Sequence, residues 1–223
     1  AKGITLVTNA GSNGKFLGVM DFEVKGNQVA SYKYRLLPVF SNLLPADPGM
    51  TALIKQYRAP YEDKLNEKLA VSDDFLYRRG NFNGTWDQLI CDALMAVKGA
   101  DASFSPGFRW GTTLLPGDTI TMERLMDQTA ITYPQTSLTN MTGETIKTIM
   151  EDVCDNLFND DPYYQQGGDM VRVGGIEYSV TPSQTIGKRI NDMRINGKLV
   201  DPKKTYKVAG WAPVGENAEG API

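Results

Sequence analysis

The sequence contains no histidine among its 223 residues, and this absence excludes several classes of enzyme. Ser-His-Asp and Cys-His catalysis both depend on an imidazole, and nearly every catalytic zinc site uses at least one. Di-metal hydrolase centres normally combine imidazole with carboxylate ligands. We therefore expect this chain to contain no catalytic residue and no metal site. If it belongs to a hydrolase, the metal ligands lie elsewhere.

Cysteine is also scarce. Only Cys91 and Cys154 are present, and both fall in predicted helices. Two lone thiols do not form a disulfide framework. Cys154 lies on the apolar face of its helix, so we interpret it as a core residue. Cys91 flanks such a face, and a disulfide between the two thiols is the alternative.

A basic surplus and long apolar runs are missing as well. The 23 Lys and Arg residues and 26 Asp and Glu residues give a net charge of −3, whereas nucleic-acid binders usually carry a basic surplus or stripe. No apolar run approaches the ~18 residues that a membrane span requires. We therefore expect neither nucleic acid nor a membrane as a partner.

Both ends of the chain indicate a piece of a longer protein. A strand-like run follows Ala1 almost at once, without the charged and apolar regions of a signal peptide. The other end is a stretch of Gly, Ala and Pro that closes no element. We expect residues to be missing on both sides.

What is present is a mixture of strand and helix patterns. Strand patterns fill the first 37 residues around a turn at Gly26-Asn27, and they return in the last third with hairpin signals at Gly174-Gly175 and Asn196-Gly197. Helical periodicity follows Asp47-Pro48, the capping-box pattern Thr85-x-x-Gln88, and Thr142. Because the segments mix without a strict βαβ repeat, the pattern predicts an α+β fold.

The first of three candidate loops, residues 77–83, contains Asn81 and leads into a helix N-terminus, where anions bind readily. A plain turn and cap is the alternative. The second loop, residues 104–111, places Arg109 between Phe108 and Trp110. A planar guanidinium suits sulfate, phosphate or carboxylate, and a cation–π contact at the surface is the alternative.

The third loop, residues 161–170, carries paired tyrosines, paired amides and paired glycines. Amide side chains and close backbone approach suit a polar ligand or a peptide. An ordinary β-turn with packing tyrosines is the alternative.

Several strings resemble the 5′-nucleotidase-like branch of the metallophosphoesterase superfamily. Residues 7–18 resemble the closing β segment of the metallophosphoesterase domain, and residues 46–68 resemble the interdomain connection. Within this superfamily, the strings SPGFRWG at 105–111 and YYQQGGDMVR at 163–172 resemble the SoxB family of thiosulfohydrolases.

This resemblance implies three parts. Residues 1–45 would be the last strands of an incomplete metallophosphoesterase domain, 46–70 an interdomain linker helix, and 71–223 a 5′-nucleotidase-like substrate-binding domain truncated at its C-terminal end. It also implies a periplasmic hydrolase whose two manganese ions lie in the missing N-terminal catalytic domain. That enzyme would release sulfate from a cysteine S-sulfonate on the SoxYZ carrier protein, and the isolated chain would be inactive.

The loops and the resemblance together predict a set of substrate-binding residues. Trp211 enters this set as a neighbour of the position where nucleotidases stack an aromatic side chain on adenine. The predicted residues are Asn81, Phe108, Arg109, Trp110, Gln165, Gln166, Gly167, Gly168, Asp169 and Trp211.

Two other functions remain open. One is the substrate-binding domain of a nucleotidase-type phosphohydrolase, which a thermal shift with AMP would reveal. The other is a non-catalytic module that binds a protein partner. An upstream coding sequence with Asp and His metal ligands would favour the enzyme over the module.

Overall fold

The computed structural model describes residues 5–107, 111–128 and 135–211. The chain forms two compact units, Ala1–Glu62 and Asp63–Ile223.

The first unit is an antiparallel hairpin followed by a helix. Strands β1 (Phe16–Lys25) and β2 (Gln28–Pro38) pair with Lys25 opposite Gln28. Gly26 and Asn27 both have positive φ, 54° and 64°, as a two-residue type I′ turn requires, which confirms the predicted turn. Helix α1 (Pro48–Arg58) begins where Asp47 accepts a hydrogen bond from the Met50 amide at 2.7 Å.

The helical segment is shorter than the linker helix expected over 46–70. A 3₁₀ turn (Ala59–Tyr61) follows α1 at Pro60, whose ring cannot donate a backbone hydrogen bond. A single helical turn, α2 (Glu62–Leu65), ends the segment. Residues 68–70 instead belong to strand β3 (Lys68–Val71), whose backbone pairs antiparallel with β5 (Thr119–Thr121).

The second unit mixes helices and strands along the chain. Its helices are α3 (Thr85–Lys98), α4 (Met122–Met126) and α5 (Gly143–Phe158), with a 3₁₀ turn at Pro162–Tyr164. Its remaining strands are β4 (Ala102–Ser105), β6 (Ser137–Thr142), β7 (Arg172–Gly174), β8 (Ile176–Val180), β9 (Ile190–Ile195), β10 (Lys198–Leu199) and β11 (Thr205–Gly210).

Two sheets organise these strands. One has the order β6-β11-β4-β7, in which only β11 and β4 run parallel, and the other has the order β10-β9-β8. Helix α3 packs on the four-stranded sheet. The main core joins the apolar face of α5 to both sheets, and Ile149, Met150, Phe104 and Ile190 all belong to its cluster of buried side chains. The α+β prediction is confirmed.

The cap of α3 differs from the predicted capping box. The N-cap residue is Gly84, and the Asp87 carboxylate accepts a hydrogen bond from its amide at 2.9 Å. The Thr85 hydroxyl donates instead to the Phe75 carbonyl and accepts from the Tyr77 amide. The pattern predicts Thr85 as the N-cap residue, but the cap lies one residue earlier, at Gly84. The Asp87 carboxylate satisfies the Gly84 amide at this position.

The hairpin predicted at Gly174-Gly175 is wrong, whereas the one at Asn196-Gly197 is confirmed. Strand β7 pairs with β4, and β8 pairs with β9, so the chain passes from one sheet to the other between them. A β-carbon on Gly174 would lie 2.8 Å from the Cys91 β-carbon and closer still to the Ser103 hydroxyl. This glycine is required by close packing rather than by a hairpin turn.

Candidate functional site

The structure brings the three predicted loops together in the second unit. The Met170 amide of the third loop donates to the Asn81 carbonyl of the first loop at 2.8 Å. A β-carbon built on Gly107 in the second loop would lie 2.6 Å from both the Asp169 β-carbon and the Met170 carbonyl oxygen. All three loops therefore meet around Asp169 and Met170.

The Asn83 side chain joins the end of the first loop to β7. Its amide nitrogen donates to the Val173 carbonyl at 2.7 Å, and its amide oxygen accepts from the Val173 amide at 3.1 Å. This pair reproduces the hydrogen bonds of a neighbouring strand. The loop is thereby fixed directly beside the strand that follows the third loop.

Buried charges lie beneath the loops. Arg78 donates from Nε to Asp87 at 2.7 Å, from Nη2 to the Pro106 carbonyl at 3.0 Å, and from Nη1 to the Gln128 carbonyl. The Arg172 guanidinium lies 3.3 Å from Asp87 and donates to the Gly80 carbonyl at 2.8 Å. These three charged side chains are at most 1% exposed.

The formal charges of this network cancel. Asp169, whose side chain is 13% exposed, lies 3.7 Å from Arg172 and adds a second carboxylate. Two guanidinium groups thus face two carboxylates, an arrangement that limits the cost of burying charge. Arg78 and Arg172 also donate to the backbone carbonyls of Pro106 and Gly80, so the network helps to order the loops.

Sequence reasoning placed Arg78 in the first loop but did not identify its burial or its pairing with Asp87 and Arg172. The only local signal was Asp87 at the third position of a helix, where acidic residues are common. Nothing local distinguishes Arg172 from an arginine on a surface strand. Its role depends on pairing with residues far away in the chain.

The predicted residues of the third loop have different surroundings. Residues 161–168 are exposed, with Tyr163 at 90% and Tyr164 at 61%. Gln165 donates from its amide to the Asn159 carbonyl at 2.7 Å, while Gln166, Gly167 and Gly168 lie along the exposed stretch.

Two further predicted residues differ in their exposure. Asn81 is exposed, and its carbonyl holds the third loop as described above. Trp211 is 5% exposed, and its indole nitrogen donates to the Ser105 hydroxyl at 2.8 Å. Trp211 therefore anchors the end of β11 to β4, and its predicted contact with substrate stays a prediction.

Phe108, Arg109 and Trp110 lie outside the described residues, so their predicted contacts also stay predictions. The positions on either side of them are described. Gly111 has a φ of 85°, and a β-carbon there would lie 2.5 Å from the amide oxygen of Gln128. The amide nitrogen of that side chain donates to the Thr112 carbonyl at 3.1 Å. Both ends of the second loop are consequently held by close contacts.

Neither cysteine is suited to nucleophilic chemistry. Both are buried and free, so Cys154 is a core residue as predicted, and no disulfide joins the pair. Burial raises the pKa of the Cys91 thiol to about 12 and that of Cys154 to about 11. The thiolate is the reactive form, and at neutral pH both groups are protonated.

Two grooves open elsewhere on the second unit. The larger, of 1630 Å³, is lined by α5 and the β9–β10 region, with Thr148, Asn191 and Lys203 among its residues. The smaller, of 620 Å³, lies beside Phe82 and Tyr178. Neither includes a residue of the second or third loop. We place the candidate site at the loops because buried charge and close backbone approach converge there.

Within residues 5–107, 111–128 and 135–211, no group of three or more cysteine and acidic side chains is arranged to hold a metal ion. In the same part of the chain, no helix combines the length and apolar character needed to cross a membrane.

Comparisons of sequence and of structure with known proteins point to the same family. The model of the 5′-nucleotidase C-terminal domain matches residues 69–223. The structure of sulfate thiohydrolase SoxB from Thermus thermophilus, in complex with glycerol, is 39% identical with a TM-score of 0.83, covering 89% of this chain and 37% of that one. These similarities confirm the resemblance predicted from the strings at 105–111 and 163–172.

Two relatives described as acting on nucleotides are more distant. A 5′-nucleotidase precursor from Thermus thermophilus is 16% identical with a TM-score of 0.73 over 88% of this chain and 40% of its own, which shows a shared fold. The trifunctional nucleotide phosphoesterase YfkN of Bacillus subtilis (strain 168) is 27% identical over 233 residues. That match spans 97% of this chain and 15% of YfkN, so this chain corresponds to a small part of its relatives' length.

Proposed function

Because the chain belongs to the family of 5′-nucleotidase C-terminal domains, we propose that it is the substrate-shaping part of a hydrolase that releases sulfate from a cysteine S-sulfonate on the SoxYZ carrier protein. The observation that carries this proposal is the 39% identity with a sulfate thiohydrolase, against 27% with the nucleotide phosphoesterase YfkN. The relatives are hydrolases, and the strings that carry the resemblance to the SoxB family lie in loops whose described residues meet in the structure.

In this proposal the metal chemistry belongs to another part of the enzyme. The described residues provide no cluster that fits a metal ion, and hard divalent ions need several clustered oxygen or imidazole ligands. Two manganese ions, the catalytic N-terminal domain and a periplasmic location follow from the SoxB-like function. The part played by this chain is to bind and orient the substrate.

We propose that Arg109 binds the sulfonate group of the substrate. A guanidinium stays charged at any working pH and offers parallel donors to two oxygens. The loop ends support such a role, because Gly107 packs against Asp169 and Met170, and Gly111 packs against Gln128. Anchored loop ends reduce the conformational freedom that is lost when a ligand binds.

The third loop is suited to the polypeptide that carries the sulfonate. Residues 161–168 are exposed and combine two tyrosines, two amides and two glycines. Glycines permit close approach of a second backbone, and tyrosine rings give contact area at low entropic cost. We propose that the extended arm of SoxYZ lies across Gln165–Gly168 and delivers its cysteine to Arg109, with Phe108 and Trp110 limiting the path.

The test is sulfate release by the full-length enzyme from S-sulfonated SoxYZ. Replacing Arg109 by alanine removes a charge-assisted contact, which typically costs ~1.5–3 kcal/mol and so lowers kcat/KM roughly tenfold to a hundredfold. Arg109→Lys keeps the charge but loses the planar fork, so its activity should fall between those of the wild type and Arg109→Ala.

The matched control is Arg194→Ala, which removes an exposed arginine whose Nη1 donates to the nearby Gly197 carbonyl. It should retain wild-type turnover and a similar melting temperature. Wild-type turnover in Arg109→Ala would refute the assignment of Arg109. Phosphate release from AMP by the wild-type enzyme, without sulfate release from the carrier, would favour the nucleotidase function instead.

A further inference from the structure

The third loop presents two neighbouring tyrosines to solvent. Tyr163 is 90% exposed and Tyr164 is 61% exposed, and both belong to the 3₁₀ turn Pro162–Tyr164. In the described part of the second unit, no other tyrosine is exposed. Aromatic side chains are enriched on surfaces where proteins bind one another. The turn is therefore a candidate contact surface for a polypeptide.

A series of hydrogen bonds orders this exposed turn from the side of α5. Asn159 follows the last residue of the helix, and its amide nitrogen donates to Asp155 at 2.7 Å. The side-chain oxygen of Asn159 accepts from the Asp161 amide at 2.9 Å. The Asp161 carboxylate in turn accepts from the Tyr163 amide at 3.0 Å. Because Arg189 also donates to Asp155, the series starts from a side chain that is itself held in place.

Gln165 closes the turn from the other side. Its side-chain nitrogen donates to the Asn159 carbonyl at 2.7 Å, and its backbone amide donates to the Pro162 carbonyl at 3.3 Å. The next amide, that of Gln166, donates to the Tyr164 carbonyl at 2.9 Å. Both sides of the turn are thus tied to Asn159, and the side-chain donor of Gln165 serves the loop itself.

The charge of the loop indicates which part of a substrate it can contact. Residues 158–171 contain no lysine or arginine, and Asp160 and Asp161 are exposed. Such a surface repels an anion, so the turn is unsuited to the sulfonate and suited to a neutral or basic polypeptide. The same loop continues to Asp169 and Met170, where the three candidate loops meet. The turn is therefore continuous with the candidate site.

We propose that the turn Pro162–Tyr164 is a preformed docking surface for the polypeptide part of the carrier, which Tyr163 and Tyr164 contact, and that Asn159 and Gln165 are positioning residues for these two rings. The inference rests on the proposed function for the identity of the carrier. A turn ordered before binding loses little conformational freedom when the partner arrives. The turn thus contributes to the affinity for the carrier and not to the cleavage step.

The experiment uses the full-length enzyme and measures kcat and KM for sulfate release from S-sulfonated SoxYZ. Unsulfonated SoxYZ serves as a competitive inhibitor, and its inhibition constant reports the polypeptide contact without the sulfonate. The test variants are the double change Tyr163→Ala/Tyr164→Ala and the single change Gln165→Ala. The conservative variant Tyr163→Phe/Tyr164→Phe keeps both rings. Leu199→Ala is the matched control, since Leu199 is 61% exposed on β10.

We expect the double alanine variant to raise KM and the inhibition constant by roughly tenfold to a hundredfold, as truncation of tyrosines in a binding surface does. Gln165→Ala removes one hydrogen bond that shapes the turn and should raise both by roughly twofold to tenfold. The double phenylalanine variant should retain most of the affinity because the rings remain, and Leu199→Ala should match the wild type. Since the tyrosine side chains are exposed, kcat and the melting temperature should not change in the double variants.

Wild-type KM and inhibition constant in the double alanine variant would overturn the inference. A lower kcat or melting temperature at unchanged KM would also overturn it, because the loop would then be only structural. The proposed function fails separately. If the wild-type enzyme releases no sulfate from the carrier, the function is wrong and the inference falls with it, whereas release by the wild type with an unaffected double alanine variant overturns the inference alone.

Discussion

At the scale of single residues, Gly107 and Gly167 make contrasting contacts although both lie in candidate loops. A β-carbon on Gly107 would lie 2.6 Å from the Met170 carbonyl oxygen and from the Asp169 β-carbon, whereas one on Gly167 would lie 3.6 Å from the Asn156 β-carbon. A β-carbon on Gly107 would therefore force the second and third loops apart. The distance at Gly167 is an ordinary van der Waals contact.

We therefore predict that Gly107→Ala in the full-length enzyme lowers both turnover and the melting temperature, whereas Gly167→Ala leaves the melting temperature unchanged. Overpacking against neighbours that cannot move typically costs ~1–3 kcal/mol, and here the displaced loop carries Arg109. Melting temperature and kcat/KM on S-sulfonated carrier are the measurements. Full activity in Gly107→Ala would mean that the close approach of the two loops has no part in binding.

The sequence could predict where these loops lie, because their glycines, prolines and paired side chains are local signals. It could not predict the buried pairing of Asp87 with Arg78 and Arg172. Arginine is usually exposed, and only the fold shows that these two lie at 1% exposure or less. The burial of Trp211 and the hydrogen bond from its indole to Ser105 are likewise visible only in the fold.

At the scale of elements, α5 holds the segment between β8 and β9 through one buried carboxylate. Glu151 is 3% exposed and accepts hydrogen bonds from the amides of Gly187, Arg189 and Ile190 at 2.8, 3.2 and 2.7 Å. Three backbone donors converge on a single charged side chain, which satisfies the amides of the buried residues Arg189 and Ile190. The carboxylate thus joins the helix to the three-stranded sheet.

Glu151→Gln should destabilise the second unit. A glutamine offers one acceptor oxygen, and its amide nitrogen would face an amide donor, so we expect a loss of ~1.5–3 kcal/mol. For a protein of this size that corresponds to a melting temperature lower by roughly 3–12 °C. Glu144→Gln, an exposed change in the first turn of the same helix, is the control and should shift the melting temperature far less. Similar shifts in the two variants would show that Glu151 does not anchor this segment.

Turns and sheet partners differ in how well the sequence predicts them. Asn196-Gly197 and Gly26-Asn27 form the turns expected of them, because a type I′ turn depends on two residues with positive φ. At Gly174-Gly175 the same kind of signal predicts a hairpin that the structure does not form. Glycine there serves close packing against α3, and the alternation of β7 and β8 does not reveal that they belong to different sheets.

At the scale of the whole molecule, the two compact units differ in burial. Within the described part of the first unit, residues 5–62, no side chain is buried. Apolar side chains of the hairpin are widely exposed, among them Leu17 at 57%, Phe22 at 55% and Val29 at 58%. The second unit, by contrast, encloses the core between α5 and both sheets. A two-stranded hairpin without a packed face is marginally stable in water.

We predict that limited proteolysis of the 223-residue chain cuts first within residues 5–62 and leaves a resistant product that begins near Asp63. Exposed backbone with few apolar contacts opens at low free energy, whereas the second unit must lose its core before cleavage. In the full-length enzyme the same hairpin should be protected, since its apolar side chains would pack against the N-terminal domain that the proposed function requires. Timed digestion of both proteins, with cleavage sites identified by mass spectrometry, makes the comparison. Equal resistance of the hairpin and the second unit in the shorter chain would contradict this division, and unchanged cleavage of the hairpin in the full-length enzyme would show that no other domain covers it.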